Sequence, residues 1–222
     1  PVLHEYWFKK YNIDAEYSIV EATNEDLPKI IKKIKDGSYS GFNVTLPFKQ
    51  KIINYLDLIV NDAEVTGSVN TLLLDNNKRV VGENTDVFGL QAAYLKEIEN
   101  NLNKKALVIG AGGVSPSVVL SVQKSGIRNI SITNRTKEKC IFLKNRFKFL
   151  NIISWENLVS DIKNFDIIIN ATSLGLKNSD EFNFNFTNTK KDVVYIDTIY
   201  NPLETKTLKH LKEEGKKVFN GL

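Results

Sequence analysis

The chain has 222 residues, of which 42% are hydrophobic and 25% charged, with a formal net charge of +4. These proportions exclude a disordered, collagen-like or low-complexity protein, and no apolar run approaches the roughly 18 residues of a membrane span. The basic residues are spread along the chain rather than gathered into one arm or helix, so nucleic-acid binding is set aside as the main function.

At about 150 residues per domain, this length allows one large domain or two modest ones. The bias to Lys over Arg and the 25 Asn residues match an A/T-rich coding sequence and need no partner to explain them. The single cysteine, Cys140, excludes an intrachain disulfide and suits a reducing cytoplasm, where we expect the protein to act. No leader pattern opens the chain. It contains no Met, begins at Pro1 almost inside an apolar pattern and stops at Asn220-Gly221-Leu222, so we expect it to be shortened at both ends.

In chain order, Pro1 with Leu3, Tyr6, Trp7 and Tyr11 spaces out an amphipathic helix. Ala15 to Val20 reads as a strand. Thr23 and Asp26 form a capping box before Leu27, Ile30, Ile31 and Ile34, a helix stopped by Asp36-Gly37. Gly41 to Leu46 reads as a strand, and Pro47 opens a helix through Ile52, Ile53 and Leu56. Ser68 to Leu74 and Arg79 to Val81 form a hairpin about Asp75-Asn76-Asn77. A polar loop, Gly82 to Asp86, leads to a helix from Val87 to Asn100.

The texture then changes. Ala106 to Ile109 is a continuous apolar run, as in a parallel strand covered on both faces. Helices at Ser115–Ser125, Lys137–Phe149 and Leu203–Glu214 alternate with strands at Asn129–Thr133, Ile152-Ile153, Phe165–Asn170, Val193–Asp197 and Val218-Phe219. Such alternation predicts βαβ units. We therefore expect two α/β lobes: residues 1–86, and residues 87–219 forming a Rossmann-type parallel-sheet domain. Residues 220–222 are expected to turn back to the first lobe.

Gly110-Ala111-Gly112-Gly113-Val114-Ser115 follows an apolar strand and opens a helix. It approximates G-x-G-x-x-G, with Ser115 in the third glycine's place. Glycines allow the tight turn and close approach of a pyrophosphate, and the helix N-terminus supplies free N–H groups and a positive dipole end. An NAD site usually carries an acid about 20 residues on. Residues 114 to 134 contain none, and the next strand ends in Asn134-Arg135-Thr136, with Lys139 a turn later. A guanidinium pairs with a 2′-phosphate that a carboxylate would repel, so the pattern favours NADP over NAD.

Three further segments set polar residues at strand ends: Asn43 to Lys49, Ser68 to Thr71, and Glu83 to Asp86. Amide and hydroxyl groups there suit a small polyhydroxylated molecule, with Lys49 and Asp86 able to move protons.

Together these segments are specific. Asn-Val-Thr-Leu-Pro-Phe-Lys at 43–49, Val-Asn-Thr at 69–71, Asn-Thr-Asp at 84–86, Gly-Ala-Gly-Gly at 110–113, Asn-Arg-Thr at 134–136 and Asn-Ala-Thr-Ser-Leu-Gly at 170–175 run in order along the whole chain. With Asp197, Tyr200 and the final Asn220-Gly221-Leu222, the chain resembles the shikimate dehydrogenases. The resemblance implies NADPH-dependent reduction of 3-dehydroshikimate to shikimate, on the route to aromatic amino acids. It implies Lys49 and Asp86 as the catalytic pair, with the choice of proton donor left open between them. It implies substrate contacts from Asn43, Thr45, Asn70 and Tyr200. It implies cofactor contacts from Gly110, Ala111, Gly112, Gly113, Val114, Asn134, Arg135, Thr136, Lys139, Thr172, Ser173 and Gly221. Three departures stand out. The family's Ser-x-Ser pair, which grips the substrate carboxylate, and a C-terminal helix carrying a substrate-contacting glutamine are both missing, and Glu5 stands where Asn is typical.

No Cys, His or acidic cluster has metal-ligand spacing, so no metal is expected. His4 and His210 are read as structural, Cys140 as a buried small hydrophobe, Trp7 and Trp155 as core, and Lys32, Lys33 and Lys35 as a wet helix face. A small-molecule substrate, a monomer or homodimer, and neither nucleic-acid nor membrane partners complete the reading. The alternatives are a relative that also oxidises quinate or uses NAD, and a non-catalytic NADP-sensing module.

Overall fold

The structure is a computed structural model that describes residues 1–98, 101–177 and 179–222. Its first part holds helices α1 (Val2–Lys10) and α2 (Leu27–Lys35), strands β1 (Gly41–Asn43) and β2 (Leu58–Ile59), helix α3 (Asp62–Thr66), and strands β3 (Thr71–Leu74) and β4 (Val80–Glu83). Helix α4 (Asp86–Ala93) leads on to β5 (Lys105–Ile109), α5 (Ser115–Lys124), β6 (Asn129–Thr133), α6 (Lys137–Arg146) and β7 (Asn151–Ile152). Then follow α7 (Leu158–Asp161), β8 (Ile167–Asn170), β9 (Val194–Asp197), α8 (Lys206–Glu213) and β10 (Lys217–Phe219).

Two sheets result. The first runs β1-β3-β4-β2, with β3 antiparallel to both β1 and β4 and β2 parallel to β4. The hairpin turn is held by the Asp75 carboxylate, which accepts from the N–H groups of Asn77 and Arg79. The second sheet runs β10-β9-β8-β5-β6-β7 and every pairing in it is parallel. The fold is therefore α/β with a doubly wound Rossmann-type sheet, whose order reverses between β5 and β8. Leu107 and Ile109 of β5 point into one apolar cluster and Ala106 and Val108 into another, so the strand is covered on both faces.

The seam between the sheets is polar as well as packed. Helices α3 and α4 both lie against α5. The Arg146 guanidinium at the end of α6 donates to the carbonyls of Glu64 (3.1 Å) and Val65 (2.9 Å), capping the C-terminus of α3. Gly67, at φ +59°, ends α3, and a Cβ there would meet Arg146 at 2.6 Å. Lys124 of α5 pairs with Asp62 at 2.5 Å.

Several expectations are corrected. Ala15 to Val20 is no strand: it joins neither sheet, and all of it but Tyr17 is exposed. The β1 strand stops at Asn43 rather than Leu46. No helix starts at Pro47; turns fill 46–50 and a 3-10 helix spans Lys51–Tyr55. The reason is that the Lys49 carbonyl is taken by the Val69 N–H at 2.8 Å, which diverts it from helical bonding. Helix α4 ends at Ala93, where Tyr94 leaves helical geometry, packs on Phe219 and donates to the Leu222 carbonyl at 2.7 Å. A 3-10 helix follows at Leu95–Glu97, and the expected helical residues Glu99 and Asn100 lie outside the described residues. Trp7 is not core: it is 42% exposed on α1, which buries none of its residues, and stacks on Tyr11. Trp155 is half-buried and packs against the core cluster that holds Phe186 and Tyr195. Cys140 is buried, as expected, and burial pushes its thiol up to about 11.

Among the described residues no helix is long and apolar enough to cross a membrane. Two buried hydroxyls have no partner among the described residues, those of Thr133 on β6 and of Tyr195 on β9, the latter fully buried against Phe186. A buried hydroxyl without a partner costs about 1–3 kcal/mol. Tyr195→Phe is therefore expected to stabilise the fold by about 1 kcal/mol, raising the melting temperature by about 2–4 °C in calorimetry.

Candidate active site

A cleft of about 710 Å³ opens at the carboxyl ends of the parallel strands, over the point where the strand order reverses. Its floor is the loop after β5, Gly110 to Val114. Gly110 has φ +111°, and a Cβ there would lie 2.8 Å from the Ala171 carbonyl oxygen of the loop after β8. Only glycine lets these two chain segments approach so closely. Gly112 has nothing within 4 Å of its Cβ position, so its open side is free for a ligand. Ser115 serves the role given to a third glycine: it is fully buried and its hydroxyl accepts from the Gly112 N–H at 2.9 Å.

The loop after β6 forms one end of the cleft. The Asn134 side chain accepts from the Ala111 N–H (3.2 Å) and donates to the Thr136 carbonyl (2.9 Å), tying this loop to the glycine loop. Arg135, Thr136 and Lys139 line the cleft and are exposed. No carboxylate lines the cleft among the described residues, so the local field favours an anion. An open glycine turn at a helix N-terminus beside two cations is a donor set that fits a phosphorylated dinucleotide.

The opposite wall comes from the first sheet. Lys49 lies 2.6 Å from an Asp86 carboxylate oxygen, both half-buried, and Lys49 lines the cleft. Asp86 is the first residue of α4, where the helix dipole favours its negative charge. Its other oxygen accepts from the Asn70 amide at 2.7 Å. That amide also reaches the Thr85 hydroxyl at 3.0 Å, and its carbonyl accepts from Thr71 and from the Thr85 N–H. Asn43 accepts from the Tyr17 hydroxyl at 2.8 Å, and Tyr17 in turn stacks on His4. Thr45 and Tyr200 complete the lining near Lys49 and sit exposed.

Beneath the pair lies Asn84, buried at 4% exposure. Its amide donates to the Ser68 carbonyl (2.7 Å), the Thr66 hydroxyl (3.2 Å) and the Ser117 hydroxyl of α5 (2.9 Å), and its carbonyl accepts from the Asp86 N–H (3.0 Å). The Ser68 hydroxyl donates to the Gly113 carbonyl at 3.1 Å. The glycine loop and the Lys49–Asp86 pair are thus joined through buried polar contacts.

The last wall is the loop after β8. The Asn170 carbonyl accepts from the Thr172 N–H and hydroxyl, and its amide donates to the Leu174 carbonyl and to Asp197. This sets Thr172 and Ser173 in the cleft lining. Burial pushes the fully buried Asp197 carboxyl up, while bonds from the Ile199 N–H, Thr205 and Asn170 pull it back. Gly221 sits behind this wall rather than in the lining: its N–H donates to the Ile199 carbonyl, and a Cβ there would collide with the Thr198 carbonyl.

The structure also brings in residues that sequence reasoning passed over: Tyr17, Leu46, Ser117, Trp155, and the segment Thr198, Ile199 and Asn201. Ser117 had a usable sign, a polar residue directly before the apolar run Val118 to Leu120 of α5. Tyr17 and Trp155 had none, since both read as apolar spacing.

The two glycines make opposite predictions. Gly110→Ala is expected to lower stability by about 2 kcal/mol or more through strain and collision. Gly112→Ala is expected to leave the melting temperature near that of the parent and to weaken nucleotide binding in calorimetry.

The comparisons with known proteins agree along the whole length. The profile described as shikimate dehydrogenase substrate binding domain matches residues 1–72, and that described as shikimate / quinate 5-dehydrogenase matches residues 93–214. The shikimate dehydrogenase (NADP(+)) of Pelagibacter ubique is 42% identical over 221 residues, covering 100% of this chain and 82% of that protein. The crystal structure of shikimate dehydrogenase from Aquifex aeolicus superposes with a TM-score of 0.90 at 37% identity, covering 100% of this chain and 81% of that one. The Thermus thermophilus enzyme in complex with NADP(H) and shikimate gives a TM-score of 0.87 at 28% identity, covering 100% and 81%. Two profiles of that family together cover most of the chain and a relative is 42% identical over its whole length, so the chain belongs to the shikimate dehydrogenase family.

Proposed function

We propose that the protein catalyses the reversible NADP-dependent reduction of 3-dehydroshikimate to shikimate, within aromatic amino acid biosynthesis. The observation that carries this is the Lys49–Asp86 contact of 2.6 Å on the wall of a cleft whose floor is a dinucleotide-type glycine loop. The bound nicotinamide supplies or accepts the hydride.

The chain's own residues do the rest. Gly110 to Val114 and the α5 N-terminus seat the pyrophosphate, while Arg135, Thr136 and Lys139 take the 2′-phosphate. Asn134, Thr172 and Ser173 shape the cofactor's walls, and Gly221 supports Thr198 and Ile199 from behind. Asn43, Thr45, Asn70 and Tyr200 offer amide and hydroxyl groups to the substrate's ring hydroxyls. As the ketone carbon gains hydride its oxygen gains negative charge, which the Lys49 ammonium stabilises and then protonates. Lys49 is taken as the donor because its ammonium is the cation that stabilises the forming alkoxide, while the Asp86 carboxylate is held by Lys49 and Asn70. Asp86 holds the Lys49 amine in place, stabilises its charge and is itself fixed by Asn70. In the oxidative direction the neutral Lys49 amine accepts the hydroxyl proton.

We take residues 1–86 as the substrate-binding part and residues 87–219 as the cofactor-binding part; residues 220–222, expected to turn back to the first lobe, bond instead to Leu203, Ile199 and Tyr94 of the second. The reading includes no nucleic-acid or membrane partner, a monomer or homodimer, and action in the cytoplasm.

The test is the initial rate of NADPH formation from NADP and shikimate by the complete gene product, with quinate and NAD as cross-controls. Lys49→Ala is expected to lower kcat by about 10²–10⁴-fold with NADP binding kept. Arg135→Ala is expected to weaken NADP by about 10–100-fold with NAD nearly unaffected. Turnover of Lys49→Ala at the parent rate overturns the role of Lys49. Tight NADP binding with no turnover of either substrate makes the protein a nucleotide sensor instead.

A further inference from the structure

We infer that Trp155 is the platform on which the adenine of the dinucleotide stacks, which makes its indole an affinity element at the far end of the cofactor cleft. The inference rests on the proposed NADP site and adds a residue to it.

The argument is topological. The 2′-phosphate cations, Arg135 and Lys139, follow β6, while the proton donor Lys49 and Tyr200 mark the other end, Tyr200 following β9. Across the sheet the order is β7-β6-β5-β8-β9. A dinucleotide with its pyrophosphate on the loop after β5 therefore runs from a nicotinamide on the β9 side to an adenosine on the β6 side. The adenine hangs from the ribose that carries the 2′-phosphate, so it lies beside Arg135, next to the loop after β7.

Trp155 stands three residues beyond β7 and lines the cleft. The Ile153 N–H donates to the Ile132 carbonyl at 2.9 Å, which holds this loop against the end of β6. Of the aromatic side chains that line the cleft among the described residues, Trp155 and Tyr200, only Trp155 is at the adenosine end. The indole is also braced. It meets Phe184 edge-on at 6.1 Å, Phe184 meets Phe186 at 5.3 Å, and Phe186 meets the buried Tyr195 at 5.3 Å. A ring fixed by a column of rings loses little freedom when a base is laid on it. Base–aromatic stacking is sequence-tolerant and strong enough to register in affinity, and an adjacent guanidinium favours the same flat geometry.

The sequence supplies its own probe, since the chain has two tryptophans. Trp7 sits on α1 outside the cleft lining, so Trp7→Phe leaves Trp155 as the single reporter. In that background the emission is followed while 2′,5′-ADP, NADP or nicotinamide mononucleotide is added, and calorimetry gives each Kd independently. The expected result is that 2′,5′-ADP and NADP change the indole emission with midpoints at their calorimetric Kd, and that nicotinamide mononucleotide does not. Trp155→Leu is expected to raise the Kd of 2′,5′-ADP by at least about fivefold, and Trp155→Phe to recover most of that loss. Calorimetric binding of 2′,5′-ADP with unchanged emission overturns the inference, and so does an unchanged Kd in folded Trp155→Leu. Should Trp155→Leu fail to fold, the emission titration and Trp155→Phe decide. If neither NADP nor 2′,5′-ADP binds, the proposed cofactor site itself falls, and the inference with it.

Discussion

The buried amide of Asn84 is the contact that joins the two halves of this molecule directly beneath the site. Asn84 donates into the first sheet's turn at Ser68 and into α5 at Ser117, and it accepts from the backbone of Asp86. Each contact is modest alone, at about 1 kcal/mol net. Their value lies in what their loss would expose, because buried donors left without partners cost more than the bonds gain. Everything the site needs is hung from this point: Asp86 from its own N–H, Lys49 from Asp86, and the glycine loop from Ser68 through Gly113.

The other wall is built by the same logic with different residues. Asn170 and Asp197 end neighbouring parallel strands, bond to each other, and spend their remaining capacity on the loops that follow. Thr205 closes the circuit by donating to Asp197 while accepting from the Leu208 N–H as the cap of α8. A buried carboxylate is tolerated because three donors meet it. The cleft is thus framed by polar side chains whose hydrogen bonds are nearly all internal, which leaves backbone N–H groups and a few exposed polar groups to meet ligands.

Much of this was legible in the sequence. The parallel strands announced themselves as apolar runs, since both faces are covered, and α2 announced itself by its spacing and the Thr23–Asp26 capping box. The glycine loop was legible because its function restricts residue type: Gly110 tolerates no Cβ and Gly112 leaves space. What stayed hidden depended on long-range partners. Ala15 to Val20 has a strand's composition but joins neither sheet. The helix expected at Pro47 fails because Val69 captures the Lys49 carbonyl. Trp7 and Trp155 are alike as letters, yet one lies on an unburied helix and the other on a cleft wall, a difference made wholly by topology.

The cross-links between the two halves share a location. Asn84–Ser117, Ser68–Gly113, Lys124–Asp62 and the Arg146 cap on α3 all lie along the seam where α3 and α4 meet α5 and α6. The Thr45–Lys49 turn is anchored beside this seam: the Lys49 carbonyl accepts from the Val69 N–H at 2.8 Å, one residue along from Ser68. The contacts that join the two halves therefore also fix where Lys49 and Asp86 stand relative to the glycine loop.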